Sequence, residues 1–127
     1  MSDASLHRSY DTMTERQFKK RTRSFALRGI QFVEAPPERR VASVLGRQLL
    51  RSGTSVGANY RAACRGRSRA DLKAKLAVVE EKLDESLYWI RLRVDADIIA
   101  GDRVVPLLDE GEALLSMVVS SIRTLRD

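Results

Sequence analysis

Apolar residues along the 127-residue chain recur every three to four positions, the spacing that places them on one face of an α-helix. The pattern repeats in four stretches, and short segments that break it lie between them. No stretch shows the strict alternation of apolar and polar residues that is typical of a β-strand. The four predicted helices begin near Thr12, near Pro37 or Glu38, at the segment "SRAD" from Ser68, and at Asp102 with Pro106.

The breaks between these helices have recognisable causes. The segment "EAPPER" ends the first helix, because two prolines cannot continue it, and Pro37 suits the first turn of the next helix. The second helix runs to about Cys64. Ser68 can cap the third helix with Asp71 three residues later, a variant of the capping box, and this helix ends before Gly101.

Each of these helices has one apolar stripe. In the first helix the stripe is Phe18, Phe25, Gly29 and Phe32, with Lys19, Lys20, Arg21 and Arg23 on the other side. The third helix has Leu72, Leu76, Val79, Leu83, Leu87, Ile90 and Val94, and the fourth has Leu107, Leu114, Met117, Val118, Ser121, Ile122 and Leu125. Amphipathic helices with short connections bury their stripes only by packing together. The sequence therefore predicts an all-α fold, an antiparallel up-and-down four-helix bundle over residues 12–127, with residues 1–11 as a flexible tail.

The second helix separates into three faces when it is projected at about 100° per residue. Its predicted core face is Val41, Leu45, Leu49, Ser52, Val56 and Ala63. A narrow strip beside the core contains Gly46, Gly53 and Gly57. The side opposite the core contains Arg40, Arg47, Arg51, Arg61 and Arg65, within an arc of roughly 80°.

Glycines inside a helix destabilise it by about 1 kcal/mol each relative to alanine, so we expect a compensating gain. A strip without side chains lets another helix approach closely, which predicts a packing role for Gly46, Gly53 and Gly57. The alternative is that the helix breaks at Gly53. Asn59 borders the core face, where we expect its amide to bond a neighbouring helix; the alternative is contact with a ligand.

The arginine face is notable because no acidic residue occurs between Arg39 and Arg69, in a chain of net charge +6. Guanidinium groups along about 37 Å of helix repel one another. Nucleic-acid phosphates, carboxylates of another subunit, or solvent counterions could relieve this repulsion. Three cations of the first helix are predicted to contact nucleic acid outside this arginine row: Lys19, Lys20 and Arg23.

The third helix has a second apolar face, opposite its core stripe. Val78 and Leu92 lie there at heptad spacing with Glu85, next to Glu81, Tyr88 and Trp89. Trp and Tyr are enriched at interfaces, so Glu85, Tyr88, Trp89 and Leu92 are predicted subunit contacts. Alternatively, the two aromatic residues only cover the edge of the core. The carboxylates Glu80, Glu81, Asp84 and Glu85 are expected to form a solvated or intersubunit acidic face.

No set of residues suggests catalysis or a cofactor. The chain has one Cys and one His, so a structural metal would depend on carboxylates, and we predict none. No nucleophile–base arrangement is evident. No apolar run approaches the roughly 18 residues that cross a membrane. Without a secretion signal and with a single cysteine, a cytoplasmic location is expected.

Several segments carry a resemblance to a known family. They are "QLLRS" from Gln48, "SVGAN" from Ser55, "SRADL" from Ser68, and "ES" at Glu85 followed by "YWI" at Tyr88. From about Phe25 to Leu125 the chain resembles the four-helix-bundle proteins encoded in intervening sequences of 23S rRNA genes. It also resembles the related accessory (Avd-like) proteins of diversity-generating retroelements.

The resemblance implies a ring-forming bundle, typically a homopentamer, with no established enzymatic activity. For the retroelement branch it implies contact with nucleic acid and a reverse transcriptase. This chain departs from the pattern at Lys82, where a glutamate is expected, and at the segment from Tyr60 to Ala63, where another carboxylate is missing. Its arginine face is therefore more positive than that of a typical member. The leading hypothesis is a basic, homo-oligomeric, nucleic-acid-binding bundle, and the alternative is a protein-interaction scaffold whose arginines pair with carboxylates of neighbouring subunits.

Overall fold

The computed structural model describes residues 14–34 and 40–126, with the side chains of residues 34 and 126 left out. Its helices are α1 (Glu15–Glu34), α2 (Arg40–Cys64), α3 (Arg69–Asp95) and α4 (Val105–Arg126), with a 3₁₀ turn at Gly101–Arg103. Within these described ranges there is no strand. The predicted tail over residues 1–11 and the predicted start of the second helix at Pro37 or Glu38 lie outside the described residues. The all-α four-helix prediction is confirmed.

Contacts between the helices show that consecutive helices run antiparallel. Near the start of α1, the Phe18 ring meets the Tyr60 ring near the end of α2, with centroids 4.4 Å apart. The Ser86 hydroxyl of α3 donates to the Ser52 hydroxyl of α2 at 3.1 Å. At the start of α3, Arg69 donates to the Leu125 carbonyl near the end of α4, at 3.2 Å. This up-and-down order follows from connections too short to cross the bundle.

The helix starts are set by side-chain caps. Thr14 and Gln17 form a reciprocal capping box, with Thr14 Oγ1 accepting from the Gln17 N–H and Gln17 Oε1 accepting from the Thr14 N–H. This cap starts α1 at Glu15, later than the predicted Thr12. Ser68 Oγ accepts from the Asp71 N–H at 3.0 Å, which confirms the predicted N-cap of α3.

The connection from α3 to α4 differs from its prediction in detail. Helix α3 ends at Asp95, and Asp97 adopts a left-handed backbone with φ 58°. Aspartate tolerates this conformation better than most residues, so the turn needs no glycine. The segment Gly101–Arg103 then forms one 3₁₀ turn, and α4 begins at Val105 rather than at Asp102.

The core lies along the shared axis of the helices and follows the predicted stripes with two corrections. Val41 was predicted in the core but is 55% exposed, because α2 turns Ala42 inward instead. Tyr60, not predicted in the core, is fully buried against Phe18. The other buried residues of α2 are Ala42, Leu45, Gly46, Leu49, Ser52, Gly53, Val56 and Ala63.

Two arginines have partners or surroundings that the sequence pattern did not indicate. Arg21 was predicted on the polar side of α1, but its guanidinium bonds both carboxylate oxygens of Glu110 on α4, at 2.8 and 2.5 Å. This bond raises the pKa of Arg21 and joins the first helix to the last. Arg93 of α3 is fully buried, and burial lowers its pKa. Among the described helices, none is long and apolar enough to span a membrane.

Candidate nucleic-acid interface

Helix α2, which carries the arginine face, is continuous from Arg40 to Cys64. The alternative of a break at Gly53 is therefore wrong. Its weak helix formers satisfy their hydroxyls within the helix: Thr54 Oγ1 donates to the Leu50 carbonyl and Ser55 Oγ to the Arg51 carbonyl, both at 2.6 Å. The outer face of α2 is therefore a regular surface on which the arginines keep helical spacing.

The three glycines of α2 have different surroundings. A Cβ on Gly57 would lie 3.4 Å from Thr22 Oγ1 and 3.7 Å from the Arg23 backbone N, so α1 comes close to α2 here. A Cβ on Gly46 would lie 2.8 Å from Val33 Cγ1 and 3.1 Å from Arg93 Nη1. At Gly53 the nearest atom would be 4.0 Å away, so a methyl group fits and the predicted close approach is absent there.

Asn59 does not bond a neighbouring helix as expected. Its Nδ2 donates to the Ser55 carbonyl of its own helix at 2.8 Å. The residue is half-buried at the border between the core and the outer face of α2. Its amide therefore forms a hydrogen bond with the backbone of α2 itself.

All five arginines of the predicted row, at positions 40, 47, 51, 61 and 65, are exposed. Arg47 donates to the Ser43 hydroxyl at 3.1 Å. None of the ion pairs between described residues includes a member of the row. The positive charge of this face therefore has no carboxylate counterpart within the described part of the chain.

Two open grooves flank the C-terminal part of this row. The α1–α2 groove has a volume of about 460 Å³ and a floor of small residues. Its lining is Lys19, Arg23, Ala26, Thr54, Gly57, Ala58, Arg61 and Arg65. The close approach of α1 at Gly57 brings Lys19 and Arg23 beside Arg61 of α2 and Arg65 in the turn that follows Cys64. Lys19 also pairs with Glu15 at 3.1 Å.

The α2–α3 groove lies on the other side of Arg61 and Arg65 and has a volume of about 630 Å³. It is lined by Ala58, Arg61, Ala62, Arg65, Arg67, Asp71 and Lys75. Its one acidic side chain is already engaged: Asp71 Oδ2 accepts from Lys75 Nζ at 2.9 Å and from the Arg67 N–H at 3.1 Å. The bonds from Lys75 and Arg67 lower the pKa of Asp71.

The structure thus brings together four of the eight predicted nucleic-acid contacts. Arg61 and Arg65 line both grooves, and Lys19 and Arg23 join them from α1. Lys20 is exposed but lines neither groove. Arg40, Arg47 and Arg51 lie farther toward the N-terminus of α2.

Sequence reasoning missed two cations of the α2–α3 groove, Arg67 and Lys75. Arg67 belongs to the basic segment "RGRSR" that follows α2. Lys75 stands one helical turn after Asp71 and was readable as its ion-pair partner. Neither residue shares a helix with the arginine row, so a projection of one helix cannot place them beside it.

The predicted subunit contacts lie on α3. Tyr88 is 58% exposed and meets the edge of the Trp89 ring, with centroids 5.0 Å apart. Trp89 and Leu92 are half-buried against core residues that include Ala42, Leu45 and Ile98. Trp89 thus covers the core edge of its own chain. Glu85 lies 3.5 Å from Lys82 Nζ.

A third groove, between α3 and α4, is acidic. It is lined by Ala77, Glu80, Glu81, Asp84, Leu115 and Val119 and has a volume of about 310 Å³. Among the described residues, no cluster of His, Cys, Asp or Glu could hold a metal ion. This acidic groove lies on the opposite pair of helices from the α1–α2 groove.

Comparison with known proteins places this geometry in a family. The family model of the 23S rRNA-intervening sequence proteins matches residues 14–120. The chain belongs to this family. A solved structure similar to this 23S rRNA-intervening sequence protein comes from Bacteroides thetaiotaomicron VPI-5482, and it is described as a protein of unknown function from the S23 ribosomal protein family. The two chains share 28% identity and a TM-score of 0.80, over 87% of this chain and 99% of the other.

No curated protein matches the chain significantly. The family assignment therefore depends on the family model and the solved structure, and it confirms the resemblance to the 23S rRNA-intervening sequence proteins. The relation to the retroelement accessory proteins stays a prediction.

Proposed function

We propose that this protein is a non-enzymatic, homo-oligomeric bundle of the cytoplasm that binds nucleic acid through the outer face of α2 and its flanking grooves. The proposal includes the ring, a pentamer, that the resemblance implied. A reverse-transcriptase-type enzyme is a proposed second partner, because such an enzyme carries nucleic acid to the same cationic face.

One observation carries this proposal: the α1–α2 groove places Arg23 opposite Arg61 and Arg65, with Lys19, which pairs with Glu15, beside them, and none of its described lining residues is acidic. Like charges brought together by the fold destabilise it unless an anion lies between them. Arginine binds phosphate oxygens in a bidentate manner. The small side chains on the floor of the groove let a phosphate approach the helix backbone.

The family name supports nucleic acid as the partner class without naming a binding site. Proteins of this family are described by their place in a 23S rRNA-intervening sequence, and the solved relative by a ribosomal protein family. The family name refers to 23S rRNA, and the description of the solved relative refers to a ribosomal protein family.

Fluorescence anisotropy with a labelled nucleic-acid duplex tests the proposal. The unmodified protein should bind, and its affinity should fall steeply as salt rises from about 50 to 200 mM, because bound phosphates release counterions. The double variant Arg61→Gln with Arg65→Gln should bind more weakly. The matched control, Arg103→Gln with Arg123→Gln, removes the same charge from exposed residues that line neither flanking groove, and it should bind nearly as the unmodified protein does.

The result that refutes the proposal is equally direct. If the unmodified protein binds neither duplex nor single strand at the lowest salt, the cationic face does not serve nucleic acid. Equal losses in the groove variant and its control would show an effect of net charge alone.

The acidic groove between α3 and α4 favours one alternative, a protein-interaction scaffold. Its carboxylates Glu80, Glu81 and Asp84 could pair with the arginine row of a neighbouring subunit. In that case high salt should reduce the molar mass in solution. A pentamer should show five times the 14.3 kDa of one chain by light scattering. Loss of mass in the Arg61→Gln and Arg65→Gln variant, without nucleic-acid binding in the unmodified protein, would support the scaffold.

A further inference from the structure

The cations on the outer face of α2 and in the turn directly after it form two clusters with a neutral gap between them. The N-terminal cluster is Arg47 and Arg51, and the C-terminal cluster is Arg61 and Arg65. Ten residues separate Arg51 from Arg61, which is about 15 Å along a continuous helix. On the outer face this gap holds Thr54 and Ala58, both exposed and uncharged.

The gap between these clusters, about 15 Å, is comparable to the width of a duplex groove, so long arginine side chains on its two sides can reach a phosphate backbone each. The major groove of B-form DNA is about 12 Å wide, and a phosphate backbone lines each of its sides. A duplex is stiff over about 50 nm, so it presents its phosphates at fixed separation. A single strand would have to be straightened along α2 to reach both clusters, which reduces its conformational entropy.

The grooves beside the two arginine clusters lack the aromatic side chains on which single-stranded bases stack. Proteins that bind single strands stack bases on exposed aromatic rings beside a cationic groove. Neither flanking groove has an aromatic residue in its lining. Of the described aromatic side chains, Phe18, Phe25 and Tyr60 are buried, Phe32 and Trp89 are half-buried against the core, and the exposed Tyr88 lies on α3.

We propose that the nucleic acid bound by this protein is double-stranded, and that the two arginine clusters of α2 contact the phosphate backbones on either side of one groove. This inference rests on the proposed function and narrows its substrate class. Contacts to phosphates are independent of base sequence, so binding is expected to follow duplex shape rather than sequence.

Salt titrations on matched ligands test this inference. The ligands are a duplex of about 16 base pairs, which exceeds one helical turn of about 10.5, and an oligo-dT strand of the same length. The duplex should bind more tightly. An RNA duplex of equal length shows whether the A-form groove is also accepted. A hairpin of about 5 base pairs is less than half of one helical turn, so it does not present a complete groove with a backbone on each side, and it should have a shallower salt dependence.

Variants of each cluster give the second part of the test. Arg47→Gln with Arg51→Gln, and Arg61→Gln with Arg65→Gln, should each reduce the slope of log K against log salt on the duplex by about 1.8, from two lost phosphate contacts. The control Arg103→Gln with Arg123→Gln should leave the slope on the duplex nearly unchanged. Circular dichroism melting verifies that these surface variants remain folded.

The contradicting results separate this inference from the proposed function. Tighter binding of oligo-dT, weakened by Tyr88→Ala, would overturn the duplex inference while nucleic-acid binding stands. A slope that changes in only one of the two cluster variants would overturn the two-backbone contact. Absence of binding to every ligand would refute the proposed function itself, and the inference with it.

Discussion

Replacement of Arg93 by methionine should stabilise the protein. The Arg93 guanidinium is fully buried, and its Nε and Nη2 atoms have no hydrogen-bond partner among the described residues. Its Nη1 donates to the Ala42 carbonyl at 3.5 Å, a long hydrogen bond, and its Cζ lies 5.3 Å from the centre of the Phe32 ring. Among the described carboxylates, none forms an ion pair with it.

The expected magnitude follows from these contacts. Burial of an incompletely paired charge destabilises the folded state by several kcal/mol. The cation–π contact with Phe32 stabilises the folded state by about 0.5–2 kcal/mol. The long hydrogen bond to Ala42 stabilises it by less than an ordinary hydrogen bond does. Methionine keeps an unbranched apolar stem in the space beside Gly46 and removes the charge. The free energy of unfolding should therefore rise by about 1–3 kcal/mol.

Urea denaturation followed by circular dichroism measures this change. The control is Arg123→Met, an exposed position on α4 where the free energy of unfolding should change by less than about 0.5 kcal/mol. If Arg93→Met instead lowers the free energy of unfolding by more than 1 kcal/mol, the guanidinium has a stabilising partner in solution and the reasoning is wrong.

Three further predictions concern packing, capping and titration. Gly53→Ala should raise the free energy of unfolding by about 1 kcal/mol, because its Cβ would meet nothing closer than 4.0 Å. Gly111→Ala should lower it by about 1–2 kcal/mol, because its Cβ would lie 2.6 Å from Leu87 Cδ2; urea denaturation should give opposite signs. Ser68→Ala removes the N-cap of α3 and should lower the free energy of unfolding by about 1 kcal/mol; an unchanged urea midpoint would contradict this. Burial, aided by Glu15, raises the pKa of Cys64 from 9.0 to about 12, so the stability from its neutral thiol is present below pH 9 and lost as pH rises toward 12. Cys64→Ala should therefore lose less stability than the unmodified protein above pH 9, and parallel pH curves would contradict it.

The helices were predictable because burial imposes the 3.6-residue period on the sequence itself. The stripe of α3 is buried nearly as predicted, and Ser68 caps it. The rotation of α2 was less certain, since an error of one residue moves the core from Ala42 to Val41. Tyr60 was missed because its hydroxyl and its arginine and alanine neighbours made the segment look like surface.

Arg93 shows a different limit of sequence reasoning. A charged residue at the edge of an apolar stripe is predicted to be exposed, and only three-dimensional packing reveals that Phe32 and Gly46 leave space for it. The grooves are similar, because each combines side chains from two helices. The arginine row could be predicted from the sequence of one helix. The position of Lys19, Arg23 and Lys75 beside this row depends on how α1 and α3 are rotated about their own axes.

The acidic groove of α3 and α4 and the cationic face of α2 belong to different helices of one small bundle. Separation of opposite charge gives the molecule an electric dipole moment, whose field acts over distances longer than any contact. A charged macromolecule diffusing nearby would turn the bundle before touching it, so that collisions are oriented rather than random. The association rate should then fall as ions shorten the range of that field, even for a partner whose final complex is held by apolar contacts.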